Sequence, residues 1–201
     1  MEKLKTLIVM LLLAVTAQAQ TAKEVLDKTA AVVSSKKGVT GHFNINSSNG
    51  VGMKASGTIA VKGKKFHAVT PQATIWFDGK TMWTYLKQND EVSISTPTSS
   101  QLATINPYNF IFMYKQGYSY TMEKVGKSYF VHLKATDKKK QIQEMDIKVY
   151  QKTFVPWSIT YRTSKGVTTI DIRDFKVSAQ PDAVFCFNSK DFPNAEVIDL
   201  R

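Results

Sequence analysis

The chain has 201 residues, a formal net charge of +11 and a single cysteine, Cys186. The lone cysteine excludes an internal disulfide, and the length corresponds to one domain of ordinary size. The excess of basic residues favours either an acidic partner, such as phospholipid headgroups or an acidic protein, or a solvated basic surface.

Residues 1–19 have the organisation of a signal peptide. Lys3 and Lys5 precede the apolar run LIVMLLLAV (7–15), which is too short to cross a bilayer because a span needs about 20 apolar residues. The segment AQA (17–19) is a small-x-small cleavage site. We therefore expect cleavage after Ala19 and export of residues 20–201 to the periplasm as a single soluble domain, which argues against nucleic acid as a partner.

A helix is predicted over residues 22–36, at the start of the exported chain. Thr21 and Glu24 form the capping-box pattern that begins a helix. Gly38 fits the left-handed position that follows a helix end. One apolar stripe runs along the segment at helical spacing, so that one side of the helix packs against the rest of the domain; its residues are Val25, Leu26, Thr29, Val32 and Val33.

From residue 40 onward, apolar and polar residues alternate in short runs, as in strands that are buried on one side. About eleven such runs are present, the last of them AVFCFN (183–188), where Cys186 is expected to be buried as a small hydrophobe. Asp78-Gly79, between ATIWF and KTMWTYL, predicts a tight hairpin turn of the primed type. The pattern is interrupted by NPYNFIFMYKQG (106–117), which predicts a short helix over residues 107–116 that is apolar on every side.

These elements predict a mainly β fold, an unclosed antiparallel β-barrel with one apolar side. The two predicted helices cover that side only in part, which leaves room for an apolar concavity. With 11 Phe, 8 Tyr, 3 Trp and 7 Met in the chain, such a concavity has the composition of a pocket for an apolar ligand. Both faces of the 73–87 hairpin are apolar, and our hypothesis places Phe77, Trp83 and Tyr85 on the cavity side.

The patterns of catalytic and metal sites are missing from the sequence. The histidines at positions 42, 67 and 132 do not have zinc-ligand spacing, and the chain has neither a G-x-S-x-G elbow nor a glycine loop that would cradle phosphate. We expect a protein that is not an enzyme and that has no catalytic residues, no metal and no cofactor. An enzyme whose groups converge from distant strands is kept as one alternative.

The segment FDGKTMWTY (77–85) resembles the D-G-K-T-x-W motif of the periplasmic carrier of outer-membrane lipoproteins in the Lol pathway. GTIAVK (57–62) with Phe66, NPYNFIF (106–112), SYFVHL (128–133) and FCF (185–187) fall in the same register. The resemblance covers nearly all of residues 20–201, and D-G-K-T-x-W is its specific motif.

The resemblance implies an open barrel of about eleven strands with a helical lid, and acyl chains of lipoproteins bound between the sheet and the lid. The residues implied to face the acyl chains are Ile59, Val61, Phe66, Ile75 and Phe77, and those implied to contact them from the lid are Leu26, Val33, Phe110 and Met113. Our hypothesis on the hairpin faces adds Trp83 and Tyr85 to the residues that face the acyl chains. The implied partners are acylated lipoproteins, an inner-membrane extraction complex and an outer-membrane acceptor. A monomer is expected, because open sheet edges are usually covered rather than paired.

One position departs from the family pattern. The arginine that hydrogen-bonds the lid shut in the family falls at Gly63, in VKGKK (61–65), and the proline that follows it is also lost. Lys62, Lys64 or Lys65 could substitute, although lysine lacks the planar fork of donors that arginine has. Two other binding proteins remain as alternatives: a related half-barrel that senses or stores a lipid without shuttling, and an interaction module whose groove holds a peptide.

Overall fold

The structure, a computed structural model, describes residues 20–48, 54–98, 101–102, 108 and 113–201. The first element is the helix α1 (Ala22–Val33). Its capping box forms as predicted, because Glu24 N donates to Thr21 Oγ1 at 3.2 Å and Thr21 N donates to the Glu24 carboxylate at 3.0 Å. The helix ends at Val33 and not at residue 36, since Ser34 caps it and its hydroxyl donates to the carbonyl of Ala30 at 2.7 Å.

Twelve strands form one sheet in the described part of the chain. The spatial order is β12-β6-β5-β4-β3-β2-β1-β11-β10-β9-β8-β7, so that β12 and β7 are the two edges and the sheet is not closed. Every neighbouring pair is antiparallel except β12 and β6, which are parallel. The strands are β1 (Val39–Ser47), β2 (Lys54–Lys62), β3 (Lys65–Val69), β4 (Ala73–Phe77), β5 (Met82–Leu86), β6 (Glu91–Ser95), β7 (Tyr118–Val125), β8 (Ser128–Ala135), β9 (Ile142–Tyr150), β10 (Pro156–Thr163), β11 (Gly166–Val177) and β12 (Glu196–Asp199).

The prediction of a mainly β, unclosed antiparallel fold is confirmed, with twelve strands in place of about eleven. The strands bury alternate residues on the side that α1 covers, which we call the core face, and we call the opposite side the outer face. Val25, Leu26, Ala30 and Val33 of α1 belong to the same buried cluster as residues of nine strands. No helix in the described part of the chain is long and apolar enough to cross a membrane.

Gly57 allows the end of β3 to approach β2 closely. A Cβ atom at Gly57 would lie 2.0 Å from the carbonyl oxygen of Val69 and 3.1 Å from Cζ of Phe43. The contact with the Val69 carbonyl oxygen is shorter than any real Cβ contact and involves backbone, and the contact with Phe43 is a tight one. The backbone at the end of β3 therefore comes this close to β2 because position 57 has no side chain.

The C-terminal segment differs most from the sequence prediction. AVFCFN is not a strand: residues Asp182–Phe185 form a 3₁₀ turn that packs on β3 and β4, and Cys186 is exposed and not buried. The run is apolar at successive positions instead of alternating, so it lies across a face of the sheet. The chain then passes through a second 3₁₀ turn, Ser189–Asp191, and reaches β12, which the sequence did not predict.

Two loops also differ from expectation. Asp78-Gly79 belongs to a four-residue connection, because Phe77 pairs with Met82, and Asp78 Oδ1 accepts the amides of Lys80 at 2.8 Å and Thr81 at 2.7 Å. The helix predicted at 107–116 lies largely outside the described residues. Residues 101–102 are helical, and the amide of Gln101 donates to Thr98 Oγ1 at 3.3 Å.

Candidate functional site

The core face carries a continuous apolar row across the strands β1 to β5. Backbone pairing places Val39 opposite Val61, Val61 opposite Phe66, Phe66 opposite Phe77, and Phe77 opposite Met82. Directly paired residues of antiparallel strands point to the same face. The rings of Phe66 and Phe77 are 5.4 Å apart between centroids, so that the row is packed along its length.

Five of the seven residues predicted to face acyl chains lie together on this face. Phe66 is fully buried, and Ile59, Val61 and Phe77 are each 3% exposed. Ile75 is partly buried and packs against the same cluster, next to Ala68 on β3. The structure thus brings Ile59, Val61, Phe66, Ile75 and Phe77 together on one apolar surface. Other side chains of the protein cover this surface.

The placement of Trp83 and Tyr85 on this surface is wrong. Trp83 pairs with Trp76, and Tyr85 pairs with Thr74, so both lie on the outer face. The length of the loop is the reason. Four residues separate Phe77 from Met82, so that Phe77 and Met82 share a face and Trp83 and Tyr85 point to the other one. A loop one residue longer or shorter would have reversed the two faces.

The outer-face aromatics of the hairpin instead form a second apolar cluster with the C-terminal segment. The ring of Trp76 contacts Phe187 and Phe192 edge-on, at 5.6 and 5.5 Å, and Tyr85 lies 4.6 Å from Phe192. The Tyr85 hydroxyl donates to Asp90 at 2.9 Å, and this hydrogen bond raises the pKa of the tyrosine. Sequence reasoning missed this cluster, whose signal was the three phenylalanines within residues 185–192.

The helix α1 lies over the core face as the predicted lid would. Leu26 is fully buried and Val33 is 1% exposed, and both belong to the core cluster. Met113 is partly buried and packs against the same cluster. Phe110, the fourth predicted lid residue, lies outside the described residues.

Polar contacts tie α1 to its surroundings. The Tyr114 hydroxyl donates to Asp27 Oδ1 at 2.5 Å, and the Lys23 ammonium lies 2.6 Å from Asp27 Oδ2. The hydrogen bonds from Lys23 and Tyr114 lower the pKa of Asp27, while burial and the Asp27 carboxylate raise the pKa of Tyr114. Just before the helix, Gln20 accepts a hydrogen bond from Tyr129 at 2.7 Å.

Tyr108, from the segment between β6 and β7, reaches into the interior beside β1. It is 1% exposed, and burial raises the pKa of its hydroxyl. A Cβ atom at Gly41 would lie 3.3 Å from the Tyr108 hydroxyl, so the glycine provides the space that the tyrosine occupies. The connection between β6 and β7 thus contributes to the covering of the core face.

Two of the three lysines that could replace the family arginine bind the C-terminal segment. Lys62 Nζ lies 2.9 Å from Asp182 Oδ1, and Lys65 Nζ lies 3.0 Å from Asp182 Oδ2. These contacts lower the pKa of Asp182 and fasten the C-terminal segment to the β2–β3 turn. Gly63 sits in that turn with φ +60°, and Lys64 beside it is exposed.

The three histidines occupy unrelated positions. His42 lies 3.3 Å from Asp174, His67 stacks on Trp76, and His132 lies 2.7 Å from Asp146. Among the described residues, no group of three His, Cys, Asp or Glu side chains is arranged to hold a metal ion.

Comparison with known proteins bears on the family and on the fold. The sequence matches the family model described as "Outer membrane lipoprotein carrier protein LolA" over residues 12–166. No curated protein matches the sequence. The fold is similar to that of an uncharacterized conserved protein from Thermus thermophilus, with a TM-score of 0.59 and 12% identity over 90% of this chain and 99% of that one.

Two further solved structures are similar at lower scores. One is a LolA superfamily protein from Nitrosomonas europaea, with a TM-score of 0.46 and 15% identity over 84% of this chain and 99% of that one. The other is a putative outer membrane lipoprotein-sorting protein domain from Vibrio parahaemolyticus, with a TM-score of 0.42 and 10% identity over 86% of this chain and 95% of that one.

The family model spans more than half of the chain and includes the motif FDGKTMWTY as well as the strands of the apolar row. The resemblance found in the sequence is confirmed by this match, and the fold agrees with it. The chain belongs to the outer membrane lipoprotein carrier protein LolA family.

Proposed function

We propose that this protein is a periplasmic carrier that binds the acyl chains of lipoproteins on its core face and shuttles them from the inner to the outer membrane. The apolar row through Val61, Phe66 and Phe77 supports this proposal most. The helix α1 covers the core face that carries the row, and polar contacts hold the helix there. Export through the signal peptide at residues 1–19, which lie outside the described residues, would place the protein in the periplasm. An extraction complex and an acceptor in the two membranes would be its partners.

In this proposal the structure represents the lipid-free state, and α1 moves aside to admit acyl chains. The helix buries Val25, Leu26 and Val33 almost completely, at about 1.5–3 kcal/mol for each side chain. Displacing them therefore costs about 5–9 kcal/mol. An acyl chain of about 16 carbons would return about 12 kcal/mol at about 0.8 kcal/mol per CH₂. A single chain thus suffices to hold the helix open.

The edge of the apolar surface is suited to exchange. Ile75, Met82 and Met113 pack against the core cluster and are only partly buried. Methionine has three flexible bonds and adapts to ligands of variable shape. We propose that acyl chains enter along these residues and that release occurs when α1 closes again, without any chemical reaction.

A second function is favoured by one specific observation. Lys62 and Lys65 bind Asp182 rather than the lid, and Gly63 stands where the family has its arginine. A half-barrel that opens by other contacts could sense or store a lipid in the cell envelope without carrying lipoproteins. Transfer between membranes distinguishes this function from the first.

The test is a release assay with inner-membrane vesicles that contain labelled lipoproteins. The purified protein is expected to bring lipoproteins into the soluble fraction as one-to-one complexes. Ile75→Glu, which places a charge on the partly buried margin of the core face, is expected to abolish release. Trp83→Glu makes the same change on the neighbouring strand and the opposite face, and is expected to retain release.

Three outcomes separate the possibilities. Soluble complexes that depend on Ile75 and not on Trp83 support the carrier. A lipid detected by native mass spectrometry, with no release of lipoproteins, supports the sensor or storage protein. Loss of release in both variants, with the fold intact by circular dichroism, contradicts the placement of the acyl chains on the core face.

A further inference from the structure

One end of the sheet has a dense group of lysines. Gly63 and Lys64 form the two-residue turn between Lys62 and Lys65, which pair at the ends of β2 and β3. The loop after α1 and the loop between β4 and β5 lie at the same end of the sheet. We call the surface formed by these loops the lysine end; its lysines are Lys36, Lys37, Lys62, Lys64, Lys65 and Lys80.

Specific contacts hold these three loops together through the C-terminal segment. The amide of Gln180 donates to the carbonyl of Lys37 at 2.9 Å, and Lys62 Nζ donates to the carbonyl of Gln180 at 3.0 Å. Lys62 and Lys65 both bind Asp182. A Cβ atom at Gly79 would lie 4.0 Å from Cγ of Lys65, which brings the turn containing Lys80 alongside. The lysines therefore share one surface instead of being scattered.

The positive charge of the lysine end is only partly neutralised. Asp182 bridges Lys62 and Lys65, which remain about one third exposed. Asp78 directs one carboxylate oxygen at the amides of its own loop. The lysines at positions 36, 37, 64 and 80 are exposed on flexible stems. The six ammonium groups of the lysine end are thus offset by two carboxylates, that of Asp78 in the β4–β5 loop and that of Asp182 in the C-terminal segment.

We propose that the lysine end is a docking surface for a membrane whose lipids have anionic phosphate headgroups. Such a membrane has a negative surface potential that attracts clustered lysines without requiring a fixed partner geometry. A protein partner would be expected to engage aromatic anchors in pockets. The tips of the two turns instead have Gly63, between Lys62 and Lys64, and Gly79, which Lys80 follows.

The docking would have a consequence for the core face. Val39, Val61, Phe66, Phe77 and Met82 form the apolar row next to this end of the strands, and α1 ends three residues before Lys36. Docking would therefore bring the apolar row and the end of the covering helix towards the bilayer, where acyl chains are found. The docking itself does not depend on acyl-chain binding, since it involves the lipid-free surface.

The experiment is co-sedimentation of the lipid-free protein with vesicles of phosphatidylcholine, with and without phosphatidylglycerol, at low and high salt. We expect binding only to the anionic vesicles, and weaker binding at high salt. One lysine near an anionic surface contributes about fivefold in affinity. Replacing Lys36, Lys37 and Lys64 by Gln is therefore expected to weaken binding about 100-fold.

A matched control removes the same charge at the opposite end of the strands. Lys138, Lys139 and Lys165 are exposed in the β8–β9 and β10–β11 connections, and their replacement by Gln is expected to change binding less than about twofold. Equal losses in the two triple variants would reduce the effect to net charge and overturn the proposal. Absence of binding to anionic vesicles would also overturn it and would leave an acidic protein as the partner of this surface. Release of lipoproteins in the assay above could persist in either case.

Discussion

The hydrogen bond between Tyr114 and Asp27 predicts how readily α1 opens. Tyr114→Phe removes the hydroxyl that lies 2.5 Å from Asp27 and keeps the buried ring. A hydrogen bond to a charged group contributes about 1.5–3 kcal/mol when it is buried. The Asp27 side chain is 43% exposed and keeps its contact with Lys23, so we reduce this to about 1 kcal/mol. The variant should therefore open α1 about fivefold more often.

Native-state hydrogen exchange measures this opening directly. The amides of Leu26 and Ala30 should exchange about fivefold faster in Tyr114→Phe, while those of Ile147 in the centre of β9 should be unchanged. Lys23→Ala is the control, because it removes an exposed ion pair and keeps the tyrosine bond, and it should have little effect. Unchanged exchange in α1, or an equal increase at Ile147, would refute the role of the bond in fastening the helix.

Three further predictions concern stability, each measured by urea unfolding. Leu26→Ala, at a fully buried position, should lower the free energy of unfolding by about 2–5 kcal/mol. Gly57→Ala should lower the free energy of unfolding by at least about 3 kcal/mol, because its Cβ would meet the Val69 carbonyl. Gly63→Ala, with φ +60° and open space around it, should lower it by only about 1–2 kcal/mol, and equal losses would contradict the close approach at Gly57. Burial lowers the pKa of His67 below its usual 6.5, so the stabilisation from a neutral His67 is present above pH 6.5 and is lost as the pH falls through the lowered pKa. His67→Gln should therefore reduce the loss of stability between pH 7.5 and pH 5. An unchanged loss would show that other groups cause the pH dependence.

Local patterns in the sequence predicted the elements that local interactions determine. The start of α1 follows from Thr21 and Glu24, which are three residues apart and satisfy each other's amides. Most strands follow from alternation, since each buries one face against a common core. The end of α1 was placed three residues too late because the hydroxyl of Ser34 competes for a helix carbonyl, and an apolar stripe does not reveal that competition.

The residues of the candidate site could be predicted only on strands where the alternation of apolar and polar residues determines which side chains lie on the core face. Ile59, Val61 and Phe66 lie on strands with one apolar side, and their shared surface follows from this pattern. Trp83 was misplaced because both sides of its hairpin are apolar, so that the loop length alone sets the face. The second side of the hairpin is apolar because the C-terminal segment packs on the outer face. This packing is a long-range contact, between Trp76 and Phe192, that a local pattern does not contain.

The position of the acyl chain is the central claim, and photo-crosslinking tests it most directly. A photoreactive amino acid is placed at Ile75 on the core face or at Trp83 on the outer face, and each protein is illuminated with a lipoprotein that has labelled acyl chains. We expect a labelled crosslink from position 75 and none from position 83. Crosslinks from position 83 alone, or equal crosslinks from both positions, would contradict acyl-chain binding between α1 and the sheet.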